Sequence, residues 1–166
     1  PGDGMKMGID GIVDDMIKRS QGSTIDGYDF KKSKSTRDDL DISKVITYIE
    51  NTGKVPFDVK ESKVPVLGIT GTGGAGKSSL IDEVLLRFNS FYPDFKIALI
   101  SVDPTRKKTH GALLGDRIRL GAASYPNFYI RSLATRDSKS EISPQIESVV
   151  KYLKSLDFDL VIVETS

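Results

Sequence analysis

Gly71-Thr72-Gly73-Gly74-Ala75-Gly76-Lys77-Ser78 spells a G-x-x-x-x-G-K-[ST] string, set between the apolar run 64–70 and a segment with helical apolar spacing. Gly71, Gly73, Gly74 and Gly76 carry no Cβ and accept positive φ, so successive N–H groups can turn inward around a polyphosphate. A helix beginning near Lys77 would aim its N-terminal partial positive charge at the same point. Lys77 would reach the β- and γ-phosphates, and the Ser78 hydroxyl would ligate a bridging Mg²⁺. The competing reading is a glycine-rich hairpin turn. A hairpin needs a second strand, whereas Leu80, Ile81, Val84, Leu85 and Phe88 repeat at helical spacing.

Two further apolar runs end in acids. Residues 97–102 deliver Asp103 and residues 160–163 deliver Glu164. An acid at such a position is suited to hold Mg²⁺ directly or through water, because strand ends in this class of sheet converge on the phosphates. The alternatives are a turn opening at Asp103-Pro104 and a cap or surface role for Glu164. Between them, 103–120 reads as a switch-like segment: glycines for mobility, Arg106, Lys107, Lys108, Arg117 and Arg119 for phosphate, and Asp116 as a further metal ligand. A solvated basic loop is the plain alternative. His110 is the one histidine and is expected to face solvent rather than act as a base. No nucleophile, base and orienter set is present, and phosphoryl transfer to water needs none.

The elements that must position these groups follow from apolar periodicity. Strands are expected at 64–70, 96–102, 128–131 and 160–164, and helices at 77–89, 113–122 and 142–156. Alternation of this kind predicts an α/β fold: a doubly wound, mostly parallel sheet of P-loop NTPase type, buried on both faces and incomplete, with flanking helices. A helical linker region precedes it. Residues 5–19 carry one apolar stripe, and 20–39 are polar with the basic run 31–37, read as flexible linker rather than as a nucleic-acid patch. Residues 41–51 resume helical spacing, with Asp41 as expected N-cap and Gly53 as terminator.

Bulk properties narrow the classes further. The 166 residues carry a net charge of +1, so no polyanion-binding surface is announced. The absence of cysteine excludes disulfides and thiolate chemistry. No apolar stretch approaches bilayer length and no signal-peptide pattern opens the chain, so a soluble, cytoplasmic protein without membrane or nucleic-acid partner is expected. Pro1 as first residue, and Ser166 directly after an apolar strand, predict a piece of a longer chain.

The strings at 66–79, 101–106 (Ser-Val-Asp-Pro-Thr-Arg), 111–119 (Gly-Ala-Leu-Leu-Gly-Asp-Arg-Ile-Arg), 131–136 (Arg-Ser-Leu-Ala-Thr-Arg) and 161–165 (Val-Ile-Val-Glu-Thr) together resemble the GTPase domain of the fused isobutyryl-CoA mutases. The stand-alone G-protein chaperones of methylmalonyl-CoA mutase share a looser version. Residues 3–8 resemble the end of the cobalamin-binding domain that precedes the GTPase in the fused enzyme. The resemblance implies three parts: 1–20 as the last helix of the cobalamin domain, 21–63 as a linker with one helix, and 64–166 as the N-terminal half of the P-loop GTPase domain. It implies that GTP binding and hydrolysis gate cobalamin loading and protection, while distant mutase domains of the same chain isomerise isobutyryl-CoA to n-butyryl-CoA.

Carried over, Gly73, Gly74, Ala75, Gly76, Lys77, Ser78, Ser79 and Arg119 contact GTP or GDP. Ser78, Asp103, Asp116, Glu164 and Thr165 form the Mg²⁺ environment, and Lys77 and Glu164 become the candidate catalytic residues. Adenosylcobalamin belongs to the full-length enzyme, a homodimer by the same resemblance, and this piece lacks the histidine motif that would ligate it. His110 stands where the family has glycine. The guanine-reading N-K-x-D motif is absent, so guanine over adenine rests on resemblance. The alternatives are a stand-alone methylmalonyl-CoA mutase chaperone, a P-loop small-molecule kinase needing an acceptor pocket and lid, and a noncatalytic nucleotide-binding module. A dimeric switch ATPase would need lysine where Thr72 stands.

Overall fold

A computed structural model describes residues 8, 10–14, 17, 25–103, 121, 125–134 and 144–165, the side chains of Asp103, Ala134 and Pro144 excepted. Residues 8, 10–14 and 17 are helical, and Ile12, Val13 and Ile17 of the expected stripe are exposed. The helix expected at 113–122 lies outside the described residues apart from Gly121. No helix among the described residues is long and apolar enough to cross a membrane.

The expected strand and helix alternation is present. Strands β1 (Val66–Ile69), β2 (Ile97–Asp103), β3 (Phe128–Ala134) and β4 (Leu160–Glu164) form one sheet. Helices α1 (Asp39–Thr52), α2 (Lys77–Phe91) and α3 (Pro144–Lys154) flank it. The strand order is β1-β4-β2-β3 with every pair parallel. The path from β1 through α2 to β2 steps across the β4 position in one direction. The path from β3 through α3 back to β4 steps across β2 in the other. Right-handed crossovers taken in opposite directions put their helices on opposite faces, and the packing agrees. Ala98, Ile100, Tyr129 and Val161 face α1 and α3; Ile97, Leu99, Ile130 and Ile162 face Ile81 and Leu85 of α2.

β1 departs from the expectation of strands buried on both faces, because Val66 and Leu67 are 44% and 43% exposed. Its position explains this: β1 lies at the end of the strand order and, among the described residues, pairs with β4 alone.

Helix α1 forms because Ile42, Val45, Ile46 and Ile49 recur at i, i+3, i+4 and i+7 and are fully buried against the sheet. Each such side chain contributes about 1.5–3 kcal/mol relative to exposure. The N-cap is Asp38 rather than Asp41; its carboxylate accepts from the Leu40 and Asp41 N–H groups, both at 3.0 Å. Asp41 instead accepts the Tyr28 hydroxyl proton at 2.5 Å. Gly53 ends the helix as expected, at φ 75°, its N–H bonded to the Ile49 carbonyl.

The basic run 31–37 is not a loose tether. Phe30–Lys34 forms a 3-10 turn capped by Asp29. Ser33 is fully buried, its hydroxyl paired with Tyr28 and its carbonyl accepting from Tyr152 of α3 at 3.1 Å. Arg37 donates to the Asp157 carbonyl and stacks over the Phe158 ring. The buried Ser33 between the lysines and the aromatic partners outside the run outweigh the solvation of a charged run.

Candidate nucleotide-phosphate site

All four strands run the same way, so the 71–76 loop after β1, Asp103 at the end of β2, Ala134 at the end of β3 and Glu164 at the end of β4 arrive at one edge of the sheet. The loop turns into α2 at Gly76, which sits at φ 84° as N-cap with no side-chain cap bond. The first α-helical bond follows, from the Leu80 N–H to the Gly76 carbonyl at 2.9 Å. Gly74 also has positive φ, at 79°, while Gly73 does not. A Cβ at Gly74 or Gly76 would meet nothing within 4 Å. Glycine is required there by backbone conformation, not by crowding. The helix start, with no side-chain oxygen at its cap, offers its partial positive charge to an anion.

Lys77 and Ser78 open α2 on the loop side. The Lys77 ammonium donates to the Gly71 carbonyl and, at 3.0 Å, to the Thr72 carbonyl, so it lies back across the loop it follows. The Ser78 hydroxyl donates to Glu164 Oε1 at 3.0 Å. The other carboxylate oxygen, Oε2, accepts from the Ser101 hydroxyl at 2.9 Å. Thr165 continues the ladder, its N–H bonded to the Ile69 carbonyl at 2.9 Å, next to where β1 enters the loop.

The sequence-predicted residues Gly73, Gly74, Ala75, Gly76, Lys77, Ser78 and Ser79 thus occupy one loop and the first turn of α2, and Glu164 meets them across the sheet. The Asp103 backbone ends β2 at the same edge, paired in register with Ala134. Asp116, Arg119 and His110 lie outside the described residues. Ser101 opens one of the motif strings, 101–106, but the sequence assigned it no role. Its signal was present as a polar residue breaking the apolar run 97–102, on the same side of the strand as Leu99.

Among the described residues no group of three or more His, Cys, Asp or Glu could hold a metal unaided. A Mg²⁺ ion brought by polyphosphate does not require one, since one or two protein oxygens complete a shell otherwise made of phosphate and water. A serine hydroxyl and a carboxylate in contact are hard oxygen donors of that kind. The donor set fits the ion.

Residues 56–166 match the family described as "Methylmalonyl Co-A mutase-associated GTPase MeaB". The chain is 42% identical over 181 residues to the fused isobutyryl-CoA mutase of Geobacillus kaustophilus, a match covering 100% of this chain and 17% of that protein. To the fused isobutyryl-CoA mutase of Cupriavidus metallidurans it is 45% identical over 183 residues, covering 100% of this chain and 16% of the relative. The protein of the same name from Paraburkholderia xenovorans is 51% identical over 108 residues, or 62% of this chain and 8% of that one. The chain therefore spans less than a fifth of the length of these curated relatives.

Proposed function

The chain belongs to the methylmalonyl-CoA mutase-associated GTPase family, and from that premise we propose that it performs Mg²⁺-dependent GTP binding and hydrolysis as the G-protein chaperone domain of a cobalamin-dependent isobutyryl-CoA mutase. The observation that carries this reading is the convergence of Lys77, Ser78 and Glu164 on the mouth of the 71–76 loop.

In this reading the loop N–H groups and the start of α2 hold the phosphate chain, and the Lys77 ammonium leaves the Gly71 and Thr72 carbonyls for the β- and γ-phosphate oxygens. Ser78 and Glu164 are the residues that would hold Mg²⁺, with Asp103, Asp116 and Thr165 completing its surroundings, and Arg119 would add a phosphate contact. Bound there, the ion would supply neutralisation of the phosphate charge. Catalysis of this kind is positioning and electrostatics and does not depend on a nucleophile and base pair.

At the level of the whole protein, residues 1–20 close a cobalamin-binding domain, 21–63 link it to the GTPase, and 64–166 form that domain's first half. The mutase and cobalamin domains of the same chain hold adenosylcobalamin and isomerise isobutyryl-CoA to n-butyryl-CoA, in a cytoplasmic homodimer, with GTP or GDP gating cofactor loading. The names of the fused relatives support the isobutyryl-CoA mutase part of this assignment.

The experiment is a calorimetric titration of the full-length protein that contains this chain with GTP, GDP and ATP, with and without Mg²⁺, coupled to cobalamin loading assayed in each nucleotide state. Guanine-selective, Mg²⁺-dependent binding that changes the loading rate is expected. Binding selective for ATP, or loading indifferent to nucleotide, would overturn the assignment.

A further inference from the structure

Glu164 is held from two sides, and the two sides differ. Strand β4 lies between β1 and β2, and the register places Ile69, Glu164, Ser101 and Ser132 in one row across the sheet. Ile69, Leu99, Ile130 and Ile162 belong to the core on the α2 face, so alternation along β2 and β4 puts Ser101 and Glu164 on that face too. Ser101 donates to Oε2 and Ser78 to Oε1, so each carboxylate oxygen has its own hydroxyl.

Ser101 stands in a strand paired on both edges, half-buried, in a ladder with Glu164 itself and with Ser132. Ser78 stands exposed on the first turn of a helix, beside the loop. A glutamate side chain has several rotatable bonds and loses freedom when it is fixed. One bond from a rigid strand fixes its carboxylate plane while leaving the other oxygen facing the loop. The Ser78 hydroxyl spends its single proton on that oxygen, and its lone pairs remain as acceptors for a cation.

We propose that Ser101 is a positioning residue of the nucleotide site: its hydroxyl fixes the Glu164 carboxylate so that Oε1 meets Ser78 and the pair presents a preformed Mg²⁺-binding edge. This rests on the nucleotide reading given above. The Ser101 hydroxyl bonds to Glu164, and it acts through that carboxylate. Residues that orient a ligand carboxylate in this way change metal affinity by roughly 10–100-fold when removed.

The test measures the affinity of a fluorescent GDP analogue for the full chain across a Mg²⁺ titration and in EDTA, for wild type, Ser101→Ala, Ser101→Cys and Ser101→Thr. Cysteine fills the space with a weak donor, so it keeps the experiment decisive if the alanine variant folds poorly. Ser101→Ala and Ser101→Cys are expected to require roughly 10-fold more Mg²⁺ for half-maximal effect, with affinity in EDTA unchanged and with Ser101→Thr close to wild type. Wild-type Mg²⁺ dependence in both Ser101→Ala and Ser101→Cys overturns the inference. So does an equal loss of affinity in EDTA, which would mean a packing role, or a threonine variant as weak as alanine. A wild-type chain that binds the analogue with no response to Mg²⁺ overturns the nucleotide reading itself, a result distinct from the others because it appears before any substitution.

Discussion

Arg131 on β3 and Glu50 on α1 form an ion pair at 2.6 Å, with side chains only 20% and 25% exposed. The same guanidinium holds the Ser43 carbonyl and the Thr47 hydroxyl, each at 3.0 Å. Two residues earlier on β3, the Tyr129 hydroxyl meets Ser43 Oγ at 3.0 Å. The helix that precedes the P-loop strand in sequence is therefore fastened to the opposite end of the sheet by a charge with three partners.

Arg131→Met removes all three bonds and leaves a half-buried carboxylate without its cation. It is expected to destabilise the fold by about 2 kcal/mol, read as a lower urea midpoint. Glu50→Gln should cost less, because the amide oxygen still accepts, and the double variant should cost less than the two singly. Strict additivity would show that the pair is not coupled.

Lys77→Ala should lower GTP affinity and hydrolysis by orders of magnitude through loss of the charge-assisted contact to the β- and γ-phosphates. Its bonds here go to two loop carbonyls, so the unfolding free energy from urea denaturation should change by no more than about 0.5 kcal/mol. Turnover and affinity equal to wild type would remove lysine from the site.

Gly53→Ala isolates a backbone term. The residue sits at φ 75° and an added Cβ would meet nothing within 4 Å, so the cost of about 1 kcal/mol comes from conformation alone. Gly53→Asn, better suited to the left-handed region, should recover part of it in the same denaturation series.

Burial pushes the phenols of Tyr28, Tyr129 and Tyr152 above the ordinary tyrosine range, and the Asp41 carboxylate adds to the effect at Tyr28. A phenol that stays protonated in the folded chain loses its proton near pH 10 once unfolded. Above that pH the unfolded state binds fewer protons, so stability that is fully present at neutral pH falls as pH rises through the folded values. Urea midpoints between roughly pH 9 and 11 should show this fall, and Tyr152→Phe should flatten it. A pH-independent midpoint in wild type would contradict the burial argument.

The P-loop and the strand carrying Glu164 were legible because their signals are local: glycines and Lys77-Ser78 within one turn of chain, and an apolar run ending in an acid. The bond from Ser101 to Glu164 was not, since it exists only once β4 is inserted between β1 and β2. Asp38 and Asp41 both precede the same apolar stripe, and what separates cap from partner is Tyr28, which claims Asp41. The run 31–37 reads as solvated by charge. Its fixing groups are Ser33, held by Tyr28 and Tyr152, and Arg37 against Phe158, and two of those partners, Tyr152 and Phe158, lie far away in sequence. Arg131 appears in a motif string without a role, because its partners on α1 carry no pattern of their own.

The insertion of β4 between β1 and β2 also sets an order of events. β1 is the first strand to leave the ribosome and β4 the last of the four, yet β4 is the strand that β1 pairs with and the bridge to β2 and β3. Until it arrives, the growing chain can join β2 to β3, while among these four strands β1 has no partner and Glu164 is not yet made. Closure is then a late, long-range step, slow by the entropy of bringing distant segments together. The candidate phosphate site and the pairing of these four strands appear in the same event, so a chain that brings Ser78 to Glu164 has by that fact joined β1 to β2 and β3.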